Sequence, residues 1–401
     1  MKHTVVIGGG ASGMTAAIAA AEQGAPVTLI EKKEQLGKKL QVTGNGHCNF
    51  SNAAMDASHY HSDDAAFLSA CLKAFTPADA AAFFKSLGML SHERNGYYYP
   101  LSEQASTVVR TLKTRLQELG VRVLTGTNVL QVRKAPDGFV VSTGKETMTA
   151  SEVILSCGSE ASVRDPRPFT AYRILRDFGL SVAEPFPALV PLFGNEGIEA
   201  FWDGVRHVCT VRTENGAEET GEVQFTKKGL SGIPVFQLSH DAVKTVREKG
   251  ACTLFIDFLP GIPEEEIRAH LTAQADRKLE TVLGGMLPAK LGPVTAKKAG
   301  IGAFAAAGAI SPAETERLLN ALKSFEYGVT GYGGMEDAQV SAGGLSLKEL
   351  TADCEVSSVP GLFVTGELLN ADGACGGYNL HFAFATGLIA GRAAGRRVPE
   401  A

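Results

Sequence analysis

No stretch of this 401-residue chain is apolar for long enough to span a bilayer. The longest such runs, residues 14–21 among them, fall far short of the roughly 20 residues a transmembrane helix needs, so no membrane role is expected. Cysteine is scarce and scattered: seven residues, at 48, 71, 157, 209, 252, 354 and 375, with no C-x-x-C pair. That argues against a disulfide framework, a structural zinc site and a redox dithiol, and fits reduced thiols in a reducing compartment. No metal site is expected. A basic stripe is also missing. With a formal net charge of −5 and no lysine or arginine cluster interleaved with aromatics, RNA and DNA are not expected as partners. The first apolar strand begins within a few residues of Met1, which leaves no room for a leader, and the expected location is the cytoplasm.

What is present is glycine, 45 residues of it, in a chain that is 44% hydrophobic and 20% charged. This is the composition of a folded protein with many tight turns, and the length implies two or three domains. The most informative glycines are Gly8, Gly10 and Gly13 in Gly8-Gly9-Gly10-Ala11-Ser12-Gly13. They stand between an apolar strand, residues 3–7, and an alanine-rich helix, and Gly13 precedes Glu31 by eighteen residues. A strand that turns this sharply into a helix aims the N–H groups around Ala11 and Ser12 at a pyrophosphate. Side chains at 8 or 10 would hold the phosphates off, and one at 13 would push helix from strand. Glu31, with Lys32 beside it, ends the next strand; its carboxylate accepts both hydroxyls of an adenosine ribose and repels a 2′-phosphate. The spacing therefore predicts tightly held FAD or NAD rather than NADP.

Helical periodicity follows over 64–86 and 105–119, and strand alternation over 121–124, 129–132, 139–142 and 152–158. From residue 186 the pattern becomes antiparallel, with strands expected at 188–193, 205–212, 222–225 and 251–258; a helix is expected from about 229 through 246 and a proline-punctuated helical region from Pro263. The opening style returns at the C-terminal end, where 361–367 reads as a strand ending in Gly366-Glu367 and Gly376-Gly377-Tyr378-Asn379 introduces an apolar helix over 380–394. The economical division is an α/β Rossmann-like FAD domain (1–185 and 336–401) interrupted by a β-rich barrel-like domain (186–261, completed by 326–335) and a helical cap (262–325). FAD is favoured over NAD because the C-terminal pieces complete the site. Gly366-Glu367 would meet ribityl hydroxyls, and the helix opening at Gly376 would turn its positive end toward the N1–C2 edge of an isoalloxazine. No second coenzyme domain is visible: Gly300-Ile301-Gly302 with Ala305 lacks a preceding strand. NADH or NADPH is expected only as a transient visitor.

Several longer strings resemble a family of bacterial flavoproteins that includes the BaiN-type bile-acid reductases and the aminoacetone oxidases. They are Lys39-Leu40 with Thr43-Gly44-Asn45-Gly46-His47-Cys48-Asn49, Phe225-Thr226 with Gly229-Leu230-Ser231-Gly232, and Asp372-Gly373 with Cys375-Gly376-Gly377-Tyr378-Asn379-Leu380. The resemblance implies that Lys39, Leu40, Thr43, Gly44, Asn45, Gly46, Cys48 and Asn49 wrap pyrophosphate and ribityl. It further implies that the Val129 backbone meets the adenine, that Gly158 closes the adenosine end, and that Gly366, Asp372, Gly373 and Gly377 to Leu380 hold ribityl and ring. The chain departs from the family at His47, where arginine is usual, at Ser156-Cys157-Gly158-Ser159-Glu160, and at 166–169, which lacks a glycine-serine-threonine-glycine string.

Flavin chemistry asks little of side chains beyond positioning. His47, Tyr378 and His381 are the candidates for catalysis, with packing the more frequent role for a histidine placed like His381, and Cys48 and Cys375 read as small apolar residues. The expected activity is NAD(P)H-linked hydride transfer through flavin N5 to a small organic acceptor such as an enone. An aminoacetone-type amine oxidase, a non-catalytic FAD-binding protein and an NAD-only dehydrogenase are the alternatives.

Overall fold

The structure is a computed structural model that describes residues 3–162, 165, 167–302 and 304–396. They form two units, one of 1–186 with 340–401 and the other of 187–339. Of the departing segment 166–169, residue 166 lies outside the described residues.

In the first unit, β1 (Thr4–Ile7), β2 (Val27–Ile30), β3 (Arg122–Leu124), β4 (Glu152–Leu155) and β5 (Leu362–Val364) make a parallel sheet in the order β5-β4-β1-β2-β3. The four residues of β1, Thr-Val-Val-Ile, are all buried, as a central parallel strand covered on both faces requires. β5, from the far end of the chain, pairs with β4 in parallel (Val153 with Leu362), so the sheet is complete only when both chain ends are present. An antiparallel meander (Val129–Ala135, Gly138–Thr143, Thr147–Ala150) connects β3 to β4.

Behind the sheet, α1 (Ala11–Glu22) packs against α2 (Tyr378–Arg396), and glycine spacing explains how. A Cβ on Gly387 would stand 2.4 Å from the Ser12 carbonyl oxygen, one on Gly391 2.3 Å from that of Ala16, and one on Gly395 2.9 Å from that of Ala20. Both helices advance by four residues between contacts, so they run parallel, with backbones closer than any side chain permits. The start of α2 therefore projects nine residues past the Ser12 level, about 13 Å at 1.5 Å per residue. Two helix N-termini thus face the same way, offset by a distance that a ribityl chain and part of a three-ring system can span.

The second unit holds a closed six-stranded barrel in the order Leu192–Gly194, Gly229–Ser231, Glu218–Thr226, Arg206–Thr213, Cys252–Asp257 and Phe325–Tyr332. Trp202, fully buried, packs against Phe225 (5.0 Å between centroids), Tyr327 (5.3 Å) and Phe325 (6.2 Å). Helices Glu264–Ala273, Leu279–Gly284, Leu291–Lys298 and Pro312–Lys323 cluster with the barrel as one unit.

Several elements differ from their expected limits: the helix expected from about 229 begins at Ile233, after a short strand Gly229–Ser231 that joins the barrel, and the stretch expected over 64–86 is two helices, Ala65–Ala74 and Pro77–Ser86. The strand expected over 188–193 is broken into Val182–Ala188 and Leu192–Gly194, because Leu189 takes a left-handed conformation (φ +51) that no strand accommodates. The C-terminal helix begins at Tyr378, two residues early, because Gly377 at φ +93 already makes the turn.

Candidate functional site

The turn from β1 to α1 has the form its glycines dictate. Gly8 adopts φ +109 with its Cβ position 2.2 Å from the Ser156 carbonyl, and a Cβ on Gly13 would lie 1.8 Å from the Gly8 carbonyl. At Gly10 the opposite holds: within 4 Å of its Cβ position there is nothing. The first helical hydrogen bond runs from Met14 N–H to the Gly10 carbonyl at 3.0 Å. The N–H groups of Ala11, Ser12 and Gly13 precede it, and among the described residues no side chain caps this end. An uncapped helix start beside open space is a cradle for a diphosphate.

Glu31 is fixed by its own neighbourhood. One carboxylate oxygen accepts the Gly9 N–H at 2.7 Å and the other the Lys33 N–H at 2.8 Å, which leaves each oxygen a second lone pair for a ribose hydroxyl. Beside it opens a pocket lined by Gly8, Glu31, Lys32, Val129, Cys157 and Phe169 among others. Glu31 and Val129, assigned above to the adenosine half, therefore share one cavity with Gly8 of the pyrophosphate turn and with Lys32. The Val129 carbonyl is already taken by the Thr170 hydroxyl at 2.7 Å.

Lys39 and Glu367 are brought together. The Lys39 ammonium donates to both carboxylate oxygens, at 2.8 and 3.0 Å, and the same carboxylate accepts the Ser159 hydroxyl (2.9 Å) and the Ser341 N–H (3.0 Å). The unusual 156–160 turn thereby has a purpose: Ser159 binds Glu367, and the Ser156 hydroxyl pairs with that of Thr365 at 2.7 Å, joining the ends of β4 and β5. Gly158, at φ +66, lies between these serines. Leu40 is buried under the cofactor loop, and Thr43 closes the loop by donating to the Leu40 carbonyl at 2.7 Å. Gly44, Asn45, Gly46 and Cys48 all have positive φ, which keeps the loop open as a series of turns.

At the other helix start the first bond is His381 N–H to the Gly377 carbonyl, 3.0 Å, so the N–H groups of Tyr378, Asn379 and Leu380 lie ahead of it. The Asn379 amide is occupied with the preceding loop, accepting the Gly373 N–H (2.8 Å) and donating to the Gly373 carbonyl (2.7 Å), so this side chain shapes the site from behind. Asp372 and Gly373 form a short strand paired with Tyr60 and His61. Asn52 donates to the Gly376 carbonyl at 2.9 Å. The Asn49 side-chain oxygen is buried with no partner, 2.6 Å from the Cβ position of Gly377. A buried acceptor without a donor costs about 1–3 kcal/mol, and a bound flavin would offer its N3–H as the donor it lacks.

These features fit FAD from the pyrophosphate cradle to the ring edge. When bound, FAD supplies a hydride acceptor and donor at N5. The chain contributes two helix ends whose dipoles favour negative charge, at the phosphates and at the N1–C2 edge, each worth about 0.3–1 kcal/mol or somewhat more when water is excluded.

The three catalytic candidates separate. His381 is wholly buried: its Nε2–H donates to the Phe75 carbonyl and its Nδ1 accepts the Ser51 hydroxyl, both at 2.8 Å. Burial pushes it down to about 4 from its ordinary 6.5, so it is a neutral packing residue out of reach of a substrate. The unfolded chain gains this proton between pH 6.5 and 4 while the folded one does not. Stability should therefore be complete above about pH 6.5 and fall as pH drops through that window, by as much as about 3 kcal/mol, before levelling near pH 4. Denaturant melts at pH 7, 5.5 and 4 check this. His381→Asn should be weaker at pH 7 but show a flatter slope, and equal slopes would reject the assignment. His47 turns to the surface, its Nδ1–H donating to the Glu103 carbonyl at 2.9 Å, while the Glu103 carboxylate also meets His92 (2.7 Å) and Arg94 (3.2 Å). Tyr378 is a ring of the site wall. His59 stacks on it at 4.7 Å, and the Tyr60 hydroxyl donates to its carbonyl at 2.8 Å. Cys48, pushed up to about 12 by burial, stays a neutral thiol. Sequence reading missed His59, Tyr60, Glu103 and Ser341, which stand outside every glycine string and are functional only through distant partners.

The fold and these cradles define a flavin-dependent oxidoreductase with a Rossmann-type FAD domain. The chain belongs to the family described as HI0933-like protein Rossmann domain, which matches residues 2–393. It is 39% identical over 408 aligned positions to a 3-dehydro-bile acid delta(4,6)-reductase of Clostridium scindens, covering 99% of this chain and 100% of the relative. It is 27% identical to a ribosomal RNA dihydrouridine synthase of Haemophilus influenzae, covering 96% of both chains. Among solved structures, 3-ketosteroid delta1-dehydrogenase from Sterolibacterium denitrificans matches with a TM-score of 0.51 at 15% identity, covering 98% of this chain and 100% of that one, which shows the shared fold. No single helix among the described residues is long and apolar enough to cross a membrane.

Proposed function

We propose that this enzyme is a cytoplasmic reductase that takes a hydride from NADH or NADPH and delivers it, by way of FAD, to a conjugated enone in a small organic acceptor. The observation that carries the reading is the 39% identity, end to end, with a relative named as a reductase of unsaturated 3-dehydro-bile acids. The chemistry balances. Hydride reaches the β-carbon, a proton from solvent reaches the α-carbon, and NAD(P)H with one proton becomes NAD(P)⁺ while the carbon–carbon double bond becomes single. The start of α2 suits the flavin reduction that this cycle requires, because its N–H groups favour the charge that a two-electron reduction leaves on the ring, whichever donor supplies it. Neither a nucleic acid nor a membrane is part of this reading.

A second reading is favoured by the ribosomal RNA dihydrouridine synthases among the relatives, since reduction of a uracil double bond is also hydride addition to a conjugated carbonyl. The net charge of −5 weighs against an RNA substrate.

Anaerobic mixing separates the possibilities. NADH or NADPH is expected to bleach the yellow protein, and a 3-oxo-4,6-diene steroid acid to restore the colour. Restoration by unmodified ribosomal RNA and not by the enone would select the second reading. Bleaching only by a primary amine, with peroxide on re-aeration, would make the protein an amine oxidase and end the proposal.

A further inference from the structure

A hairpin outside every glycine string brings a second tyrosine to the start of α2. Its strands, Ser91–Arg94 and Tyr97–Pro100, are joined through Asn95 (φ +54) and Gly96 (φ +86), the two left-handed residues that a tight hairpin turn requires. Tyr97 stands opposite Arg94 on one side and Asn52 of the short strand Ser51–Asn52 on the other, while Tyr98 stands opposite Glu93 and Ser51. Alternation along the strand separates the three tyrosines. Tyr98 turns inward onto Phe50, 6.2 Å between centroids, whereas Tyr99 turns the other way and is held between the Arg94 guanidinium (4.9 Å) and the edge-on His92 ring (6.1 Å). Tyr97 shares the face of Tyr99 and meets the turn before α2. A Cβ on Gly376 would lie 2.8 Å from a carbon of the Tyr97 ring, 3.3 Å from the Asn52 side-chain nitrogen and 3.4 Å from the Tyr378 ring. Two phenol rings thus close on one glycine, and any side chain there would part them. Tyr97 is 37% exposed, and its hydroxyl has no hydrogen-bond partner among the described residues. Burial, with Tyr97 nearby, holds Tyr378 above its ordinary 10, so that its hydroxyl remains a donor at neutral pH.

We infer that Tyr97 is a catalytic residue that receives the conjugated carbonyl of the acceptor, its hydroxyl donating to the carbonyl oxygen. A wall needs only the ring, which phenylalanine would supply equally well. A hydroxyl that the fold leaves unpaired at the ring end of the site supplies a donor for a ligand. The step balances. As hydride adds to the β-carbon, the carbon–carbon π pair moves into an enolate whose charge rests on oxygen, and the Tyr97 O–H donates to that oxygen without giving up its proton. Solvent then protonates the α-carbon. The acceptor has gained the two electrons of the hydride, and Tyr97 ends as it began. Such a donor is worth more to the enolate than to the ketone, so it speeds the step more than it tightens binding. The inference rests on the enone-reductase reading and names a residue that acts on its substrate.

The test uses holoenzyme carrying Tyr97→Phe, which removes one oxygen atom that bonds to nothing in the fold. Its melting temperature should be unchanged, and its Kd for FAD after stripping should stay within about twofold of the unaltered protein. Flavin reduction by NADH or NADPH should keep its rate, whereas reoxidation by a 3-oxo-4,6-diene steroid acid should slow by about a hundredfold, the effect of removing one donor from a developing oxyanion. Binding is read without turnover on the oxidised holoenzyme: the Kd for the saturated 3-oxo steroid acid should rise severalfold, and that for its 3-deoxy analogue should not change. Tyr99→Phe, on the same face but held between Arg94 and His92, is the control and should alter neither rate nor affinity. Reoxidation of Tyr97→Phe within about twofold of the unaltered rate overturns the assignment, as does equal slowing of both half-reactions or equal weakening of the 3-oxo and 3-deoxy ligands. If no enone reoxidises the reduced unaltered protein, the enone-reductase reading itself fails and takes this assignment with it, a result seen before any variant is made.

Discussion

Gly10→Ala is expected to leave the folded protein as stable as before and to abolish tight FAD binding. Gly10 has φ −83 and ψ −163, an extended conformation open to any residue, and its Cβ position has no neighbour within 4 Å. A methyl group there meets only the space that the diphosphate needs. It would hold the phosphates off the N–H groups of Ala11, Ser12 and Gly13. Losing two such charge-assisted bonds costs about 3 kcal/mol or more, on the order of a hundredfold in Kd. Gly13→Ala is the contrasting variant: its Cβ would lie 1.8 Å from the Gly8 carbonyl, so the apo protein itself should be destabilised. Thermal melts of the apo forms, with FAD titrations of each, check both. If Gly10→Ala bound FAD like the unaltered protein, the diphosphate would not lie at this turn.

Gly391→Ala reverses the sign that helix propensity alone assigns. In an exposed helix interior, glycine to alanine stabilises by about 1 kcal/mol. Here the new Cβ would stand 2.3 Å from the Ala16 carbonyl oxygen and 2.8 Å from the Ala19 Cβ, and neither can rotate away. α2 would have to move off α1, opening the interface along its length, at a cost of about 3 kcal/mol or more. Since α2 also carries the ring end of the cofactor site, FAD affinity should fall with stability. Gly284→Ala is the control: with nothing within 4 Å of its Cβ position at the end of an exposed turn of helix, it should be neutral or slightly stabilising. Equal melting temperatures for Gly391→Ala and the unaltered protein would contradict the interlocked helix pair.

Some of the site was legible because its information is local. Gly8, Gly10 and Gly13 act through their own dihedral angles and Cβ positions, and Glu31 through residues two and twenty-two positions away, so spacing alone locates them. The loop at Lys39 to Asn49 was legible as a string, but its partners were not. Lys39 and Glu367, each read only as a cofactor residue, also pair with one another across 328 residues. His381, three residues past Tyr378, is wholly buried, held between the Phe75 carbonyl and the Ser51 hydroxyl, a placement set by packing against residues some 300 positions away. Glu103 lies in a polar turn that reads as solvated, and only folding sets His47, His92 and Arg94 around it.

From the residues alone came the class of chemistry: a diphosphate cradle, a ribose acid and a glycine-opened helix say that this chain holds a dinucleotide with a flavin, since backbone sterics at such positions depend on a few neighbours in sequence. The tertiary structure alone decided which charged groups neutralise each other and which histidine faces inward. It also set how far the second helix start stands from the first. Those relations depend on β5 closing beside β4 and on two helices approaching to backbone contact, interactions between residues more than 200 and 370 positions apart that no local pattern encodes.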